Sequence, residues 1–139
     1  MNYFENAKTF FHNCESAKGW VACAEYVDGN GNFDCQAQAL AEVNDIKSYV
    51  DWLEGLSTVT MPGCSYSVHA SAYDAETNTA IFFSTFSGTH SGDGGPVPPT
   101  QKTTNTHYVY ALKMNGDGKI THMTKIWNAP WALREVGWM

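Results

Sequence analysis

The residues best suited to chemistry lie between Gly88 and Asn128. Three of the five histidines fall there, His90, His107 and His122, with Lys125 and Trp127 close behind. An imidazole titrates near neutrality, so it can remove a proton or deliver one. Abstraction of a proton next to a carbonyl needs a base of matched pKa in a dry site and a donor for the forming enolate oxygen. His107 is the candidate acid or base, and His90, which ends a strand above Phe86, is the candidate orienter of a substrate oxygen. The opposing reading of each is structural: His107 is a hydrogen-bonded core histidine, and His90 ties down the loop after it. Alternation sets His107 opposite Tyr108. It also sets His122 opposite Lys125, which shares a face with Met123 and Trp127. His122, Trp127, Phe86 and Trp20 are candidate substrate contacts. Lys125 is a lesser catalytic candidate, since its pKa would have to be lowered by burial. Asp34 is a minor alternative base.

These groups need a scaffold. Phe4, Ala7, Phe10, Phe11 and Cys14 recur at helical spacing and predict a helix over 3–14. Gly19 marks a break, Trp20 to Val27 forms a short second stripe, and Asp28 to Asn32 is a turn. Phe33 to Ala37 predicts a short strand. Ile46, Tyr49, Val50, Leu53 and Leu56 predict a third helix, capped by Asn44 and begun by Asp45. After Cys64 the period becomes two. Tyr66–Tyr73 and Ala80–His90 form one hairpin, and Thr103–Met114 with Ile120–Asn128 a second across Asn115–Gly118. The loop Ser91–Thr100 is a proline-stiffened rim. A last short helix starts at Asn128 with Pro130 in its first turn. Helices first and strands after define an α+β class in one domain over 1–139.

Composition narrows the function. Charged residues make up 16% and aromatics 14%, with five Trp, which suggests a lined cavity or a subunit interface. The net charge of -6, with no basic run, argues against nucleic acid and anionic membrane. No apolar run approaches the ~20 residues of a membrane span, and Met1–Asn6 does not begin a signal peptide; the expectation is a cytoplasmic protein. Cys14, Cys23, Cys35 and Cys64 lack zinc-ligand spacing, and Cys14 and Cys23 sit on apolar stripes as small hydrophobes.

Several motifs in order resemble the SnoaL-like polyketide cyclases of the nuclear-transport-factor-like, or cystatin-like, superfold. They are Gly88-Thr89-His90, the Gly95–Lys102 loop with its Pro98-Pro99-Thr100, the Asp117-Gly118-Lys119-Ile120 turn, the strand through His122 and Trp127, and the tail Ala132–Trp138. The resemblance implies a strongly curved antiparallel sheet forming a cone, with N-terminal helices closing a central pocket. It further implies acid–base chemistry on a small apolar or polyketide-like carbonyl compound without metal or organic cofactor, and a homodimer through the outer sheet face. Two departures stand out: His107 occupies the position nearest the family's catalytic aspartate, and Gln101 replaces the glycine of its P-P-T-G-K loop. Three functions remain open: a cyclase, isomerase or lyase; a module that binds a hydrophobic ligand without converting it; and a dimeric interaction domain.

Overall fold

The computed structural model describes residues 1–139. Helix α1 (Tyr3–Glu15) is followed by a single turn, α2 (Trp20–Cys23), that tightens into a 3₁₀ turn. Strand β1 (Val27–Cys35) precedes α3 (Ile46–Gly55), which runs on into a π-helical turn at Leu56–Thr60. Strands β2 (Ser65–Asp74), β3 (Thr79–Thr89), β4 (Thr103–Met114) and β5 (Ile120–Trp127) come next, and α4 (Ala129–Glu135) completes the fold.

Local chemistry explains most of these limits. The Asn2 side chain accepts from the Glu5 amide and opens α1. For α3 the cap is Asp45, one residue later than expected, with its carboxylate accepting from the Ser48 amide at 2.7 Å. Asn128 stands at the cap position of α4 without a capping side-chain bond, and Pro130 lies in the first turn as predicted. In the β4–β5 turn the Asn115 side chain accepts from the amides of Asp117 and Lys119.

The strands form one sheet in the order β1-β5-β4-β3-β2. All neighbours are antiparallel except β1 and β5, which run parallel. The sheet is therefore mixed, not purely antiparallel, and it is not strongly curled. The expected turn at Asp28–Asn32 belongs to β1, whose register against β5 shifts between Val27 and Asn32. Glycine- and asparagine-rich strand tolerates such an irregularity because its side chains have little to pack.

One sheet face carries the helices. Its inward positions on β4 are Thr104, Thr106, Tyr108, Tyr110, Leu112 and Met114, all buried. Facing them are Phe10 and Phe11 of α1 and Tyr49, Val50 and Leu53 of α3. Ring stacking locks this layer: Phe11 on Phe82 at 4.5 Å and Phe33 on Tyr49 at 4.6 Å between centroids. Cys14 and Cys23 are buried within it as free thiols. Burial, and then the Glu54 carboxylate, pushes the Cys23 thiol up to about 11, so it is poorly placed to react as a thiolate. No helix is long and apolar enough to cross a membrane.

Candidate functional site

A cavity of about 50 Å³ lies between the sheet and α3, with walls that are mostly apolar. At about 10–15 Å³ per water-sized position, it has room for a handful of non-hydrogen atoms. Tyr49, Trp52, Leu53 and Leu56 line it from the α3 side, Phe86 from β3, Thr104, Thr106 and Tyr108 from β4, and Lys125 and Trp127 from β5. Glu15, the last residue of α1, supplies the one carboxyl. Trp52, Leu56 and Trp138 also line an outer groove, so these three side chains form the partition between cavity and surface.

The polar groups form an ordered series. Lys125 is 7% exposed, and its ammonium donates to Tyr49 Oη at 2.9 Å. Tyr49 Oη lies 2.5 Å from Tyr110 Oη. Tyr49 Oη thus bridges the lysine and Tyr110, and either hydroxyl of the tyrosine pair can be the donor. Four rings surround Lys125 Nζ: Trp127, Tyr49, Trp52 and Tyr108, with centroids 4.8, 5.0, 5.4 and 5.5 Å away. Such a cage favours a cation at that point.

The series stops short at the carboxyl. Glu15 is 8% exposed, yet its Oε1 has no hydrogen-bond partner, nor have Tyr108 Oη and Ser84 Oγ. Burial raises the Glu15 pKa, against the opposing pull of the Tyr110 hydroxyl, Lys125 and the Tyr108 hydroxyl. Its place at a helix C-terminus adds to the cost of the anion. Burial lowers the Lys125 pKa, with Glu15 opposing. Both groups are thus pushed towards their neutral forms.

This has a direct consequence for stability. Between the ordinary glutamate value and the raised folded value, the folded chain binds more protons than the unfolded one. Stability contributed by the protonated carboxyl is complete below the ordinary value and falls as pH rises through the folded value. For Lys125 the sign reverses: between its lowered and ordinary values the unfolded chain holds more protons, and stability rises with pH. Urea midpoints across pH are expected to show the acid-side fall in the wild type and to lose it in Glu15→Gln. An unchanged profile in that variant contradicts the raised value.

The histidines lie elsewhere. His107 is exposed on the opposite face of β4, where its Nδ1 is 2.8 Å from Thr85 Oγ1, which is also 2.6 Å from His69 Nε2. The assignment of His107 to the pocket is therefore corrected. Alternation identifies which residues share a face but not which face is inside, and the bulkier set Tyr108, Tyr110 and Leu112 takes the core. His122 is also outward, paired with Asp34 at 2.8 Å and half-exposed. The Asp34 carboxyl is held below the usual range by the Thr124 hydroxyl first and by His122 second. Neither His122 nor Asp34 reaches the cavity. Trp20 packs against the core from α2 without lining it. Phe86 and Trp127 do line it.

His90 is fully buried and anchors the rim loop. Its Nδ1 accepts from Trp138 Nε1 at 2.8 Å, which leaves the proton on Nε2 to donate to the Gly94 carbonyl at 2.9 Å. The neighbouring Gly95 has φ +82°, and a Cβ there would meet the Trp138 ring at 2.6 Å, so glycine is required for the indole to seat. His90→Ala orphans both partners. A loss of about 2–3 kcal/mol in urea unfolding is expected, with faster proteolytic nicking within 91–100; an unchanged nicking rate would contradict the anchoring role.

The missed groups left partial signals. Glu15 follows Ala7 and Phe11 at four-residue intervals, which puts it on the buried stripe of α1. The helical period puts Tyr49 on the buried stripe of α3, and alternation groups Lys125 with Met123 and Trp127, but nothing local marks the bond between Lys125 and Tyr49. No cluster of three or more His, Cys, Asp or Glu side chains is arranged to hold a metal.

Comparison with known proteins gives the fold an identity. No family model matches the sequence, and no curated protein matches it. Solved structures do match over nearly the whole chain. A protein of Jannaschia sp. CCS1, provisionally named a SnoaL-like polyketide cyclase, superposes with a TM-score of 0.78 at 15% identity, over 96% of this chain and 90% of that one. A provisionally named isomerase from Bacillus subtilis gives 0.74 at 18% identity, over 100% and 98%. A protein of ketosteroid isomerase-like fold from Catenulispora acidiphila DSM 44928, solved with trimethylamine, gives 0.68 at 10% identity, over 96% and 92%. The chain has the fold shared by SnoaL-like and ketosteroid isomerase-like proteins. At such identities the likeness is one of fold, and activity has to be argued from the site.

Proposed function

We propose that this protein is a cofactor-independent acid–base enzyme, of isomerase or cyclase type, that moves a proton on the carbon next to the carbonyl of a small apolar compound. The observation that carries this reading is the pair of unpartnered polar atoms at the cavity, Glu15 Oε1 and Tyr108 Oη. A buried polar atom without a partner is costly, and a carbonyl compound bound between them relieves that cost. Glu15 takes the α-proton, in its ionised form. Tyr108 donates to the oxygen on which charge develops, and its hydroxyl stays protonated because burial and Glu15 raise its pKa. Phe86 and Trp127 supply apolar wall, and the size of the cavity favours a compact substrate over an extended polyketide chain.

The test is deuterium incorporation from D₂O into small ketones such as cyclopentanone, followed by NMR. The wild type is expected to accelerate exchange, His107→Ala to match it, and Glu15→Gln to lose it. Full exchange in Glu15→Gln removes the assignment.

Binding without conversion is the second reading. It is favoured by the mostly apolar lining of the cavity, which holds a small hydrophobic molecule by burial alone. A thermal shift with a ketone, without exchange, would select it. For assembly, the exposed Ile81, Phe83 and Ile126 on the outer sheet face support a homodimer through that face. Phe83→Glu is then expected to sediment as a monomer where the wild type sediments as a dimer; a monomeric wild type excludes the dimer.

A further inference from the structure

Lys125 is a buried amine with no carboxylate within ion-pairing distance. Its one hydrogen-bond partner is a neutral phenol, Tyr49, at 2.9 Å. An ammonium has three protons to donate, so two have no protein acceptor. Tyr49 Oη joins it to Tyr110 Oη, and Glu15 lines the same cavity. Burial favours the uncharged form of both groups, a free amine and a carboxylic acid facing one cavity. Those are the two groups that condensation of an amine with a carbonyl requires.

We propose that Lys125 forms a Schiff base with a small aldehyde or ketone admitted to this cavity, with Glu15 as the acid that releases water. The inference rests on the carbonyl-substrate reading above and makes its chemistry covalent. The Nζ lone pair attacks the carbonyl carbon and a C–N bond forms. The C=O π pair moves to oxygen, which takes up a proton as Nζ gives one up, so a neutral carbinolamine results. Its C–O bond then breaks, the hydroxyl leaves as water with the Glu15 proton, and the nitrogen pair closes the C=N bond. Amine, carboxylic acid and carbonyl have become iminium, carboxylate and water, with charge conserved. No oxidant, reductant or metal takes part.

The surroundings fit this intermediate. The iminium keeps its positive charge at Nζ, where four rings lie within 5.5 Å of the nitrogen. The carboxylate formed in the same step is the base needed for the α-proton, and an iminium makes that proton more acidic than a ketone does. Trp52, Leu56 and Trp138 stand between this cavity and one outer groove.

The experiment uses the wild-type protein, so it does not depend on a variant that folds. The protein is incubated at neutral pH with acetone, and separately with acetaldehyde, in the presence of sodium cyanoborohydride. Modified lysines are then mapped by peptide mass spectrometry, alongside the deuterium-exchange assay. The expected result is reductive alkylation of Lys125 at least about tenfold above any exposed lysine, such as Lys18 or Lys113, because an exposed amine is almost wholly protonated at that pH. Labelling of the exposed lysines with Lys125 unmodified overturns the proposal. If exchange persists in that case, the acid–base reading stands without the covalent step; if exchange is absent too, both fall. Labelling of Lys125 without exchange supports the Schiff base and removes proton abstraction as its purpose.

Discussion

Glu15→Gln is expected to lower the rate of α-proton exchange by about 10²–10⁴-fold, the usual contribution of a positioned general base. The substitution keeps the shape of the side chain and removes only the capacity to accept a proton. Position explains the size of the effect. Glu15 supplies the one carboxyl lining the cavity, and its Oε1 has no protein partner. No other residue lining the cavity can take over as a carboxylate. Turnover is expected to rise with pH through the raised pKa of Glu15, because only the ionised form accepts a proton. A variant with intact unfolding behaviour and unimpaired exchange would transfer the base role to another group.

Lys125→Met is expected to change the pH dependence of stability more than any other substitution. Burial of the ammonium costs the folded chain, so wild-type stability rises with pH between the lowered and the ordinary lysine values. Methionine fills the same space without a charge, and the variant is expected to gain about 1 kcal/mol in urea unfolding near neutrality although Tyr49 loses its donor. Its midpoint is expected to lack the wild-type rise with pH. The double variant Glu15→Gln, Lys125→Met is expected to lose the fall that Glu15 contributes as well. A midpoint in Lys125→Met that still climbs over the same range would contradict the lowered value.

The helices, both hairpins and the rim loop were legible because each rests on local signals: a period of 3.6 or 2, a cap, a turn residue. The pairing of β1 with β5 was not, since Phe33 opposes Met123 across some 90 positions with no short-range mark. The same limit governed the site. Alternation separates Lys125 from His122 and His107 from Tyr108, but it does not say which face is inside, so the candidates His122 and Trp127 fall on opposite faces of β5; ring size on β4 points to the Tyr108 side. Val109 and Ala111 accompany His107, whereas Tyr110 and Leu112 accompany Tyr108. Residue chemistry drew attention to imidazoles, which here hold a loop (His90) or meet solvent (His107). Glu15 was concealed by its type, since a glutamate at the end of a helix is ordinarily solvated.

The parallel pairing of β1 with β5 also governs when the protein becomes competent during its synthesis. The hairpins β2–β3 and β3–β4 close from neighbouring segments, but β1 must wait for β5 to leave the ribosome, and Lys125 is carried on that late strand. Long-range parallel contacts slow folding. Until they form, β4 presents the unpaired backbone edge to which β5 will bond, and an open strand edge in a nascent chain invites association with other chains.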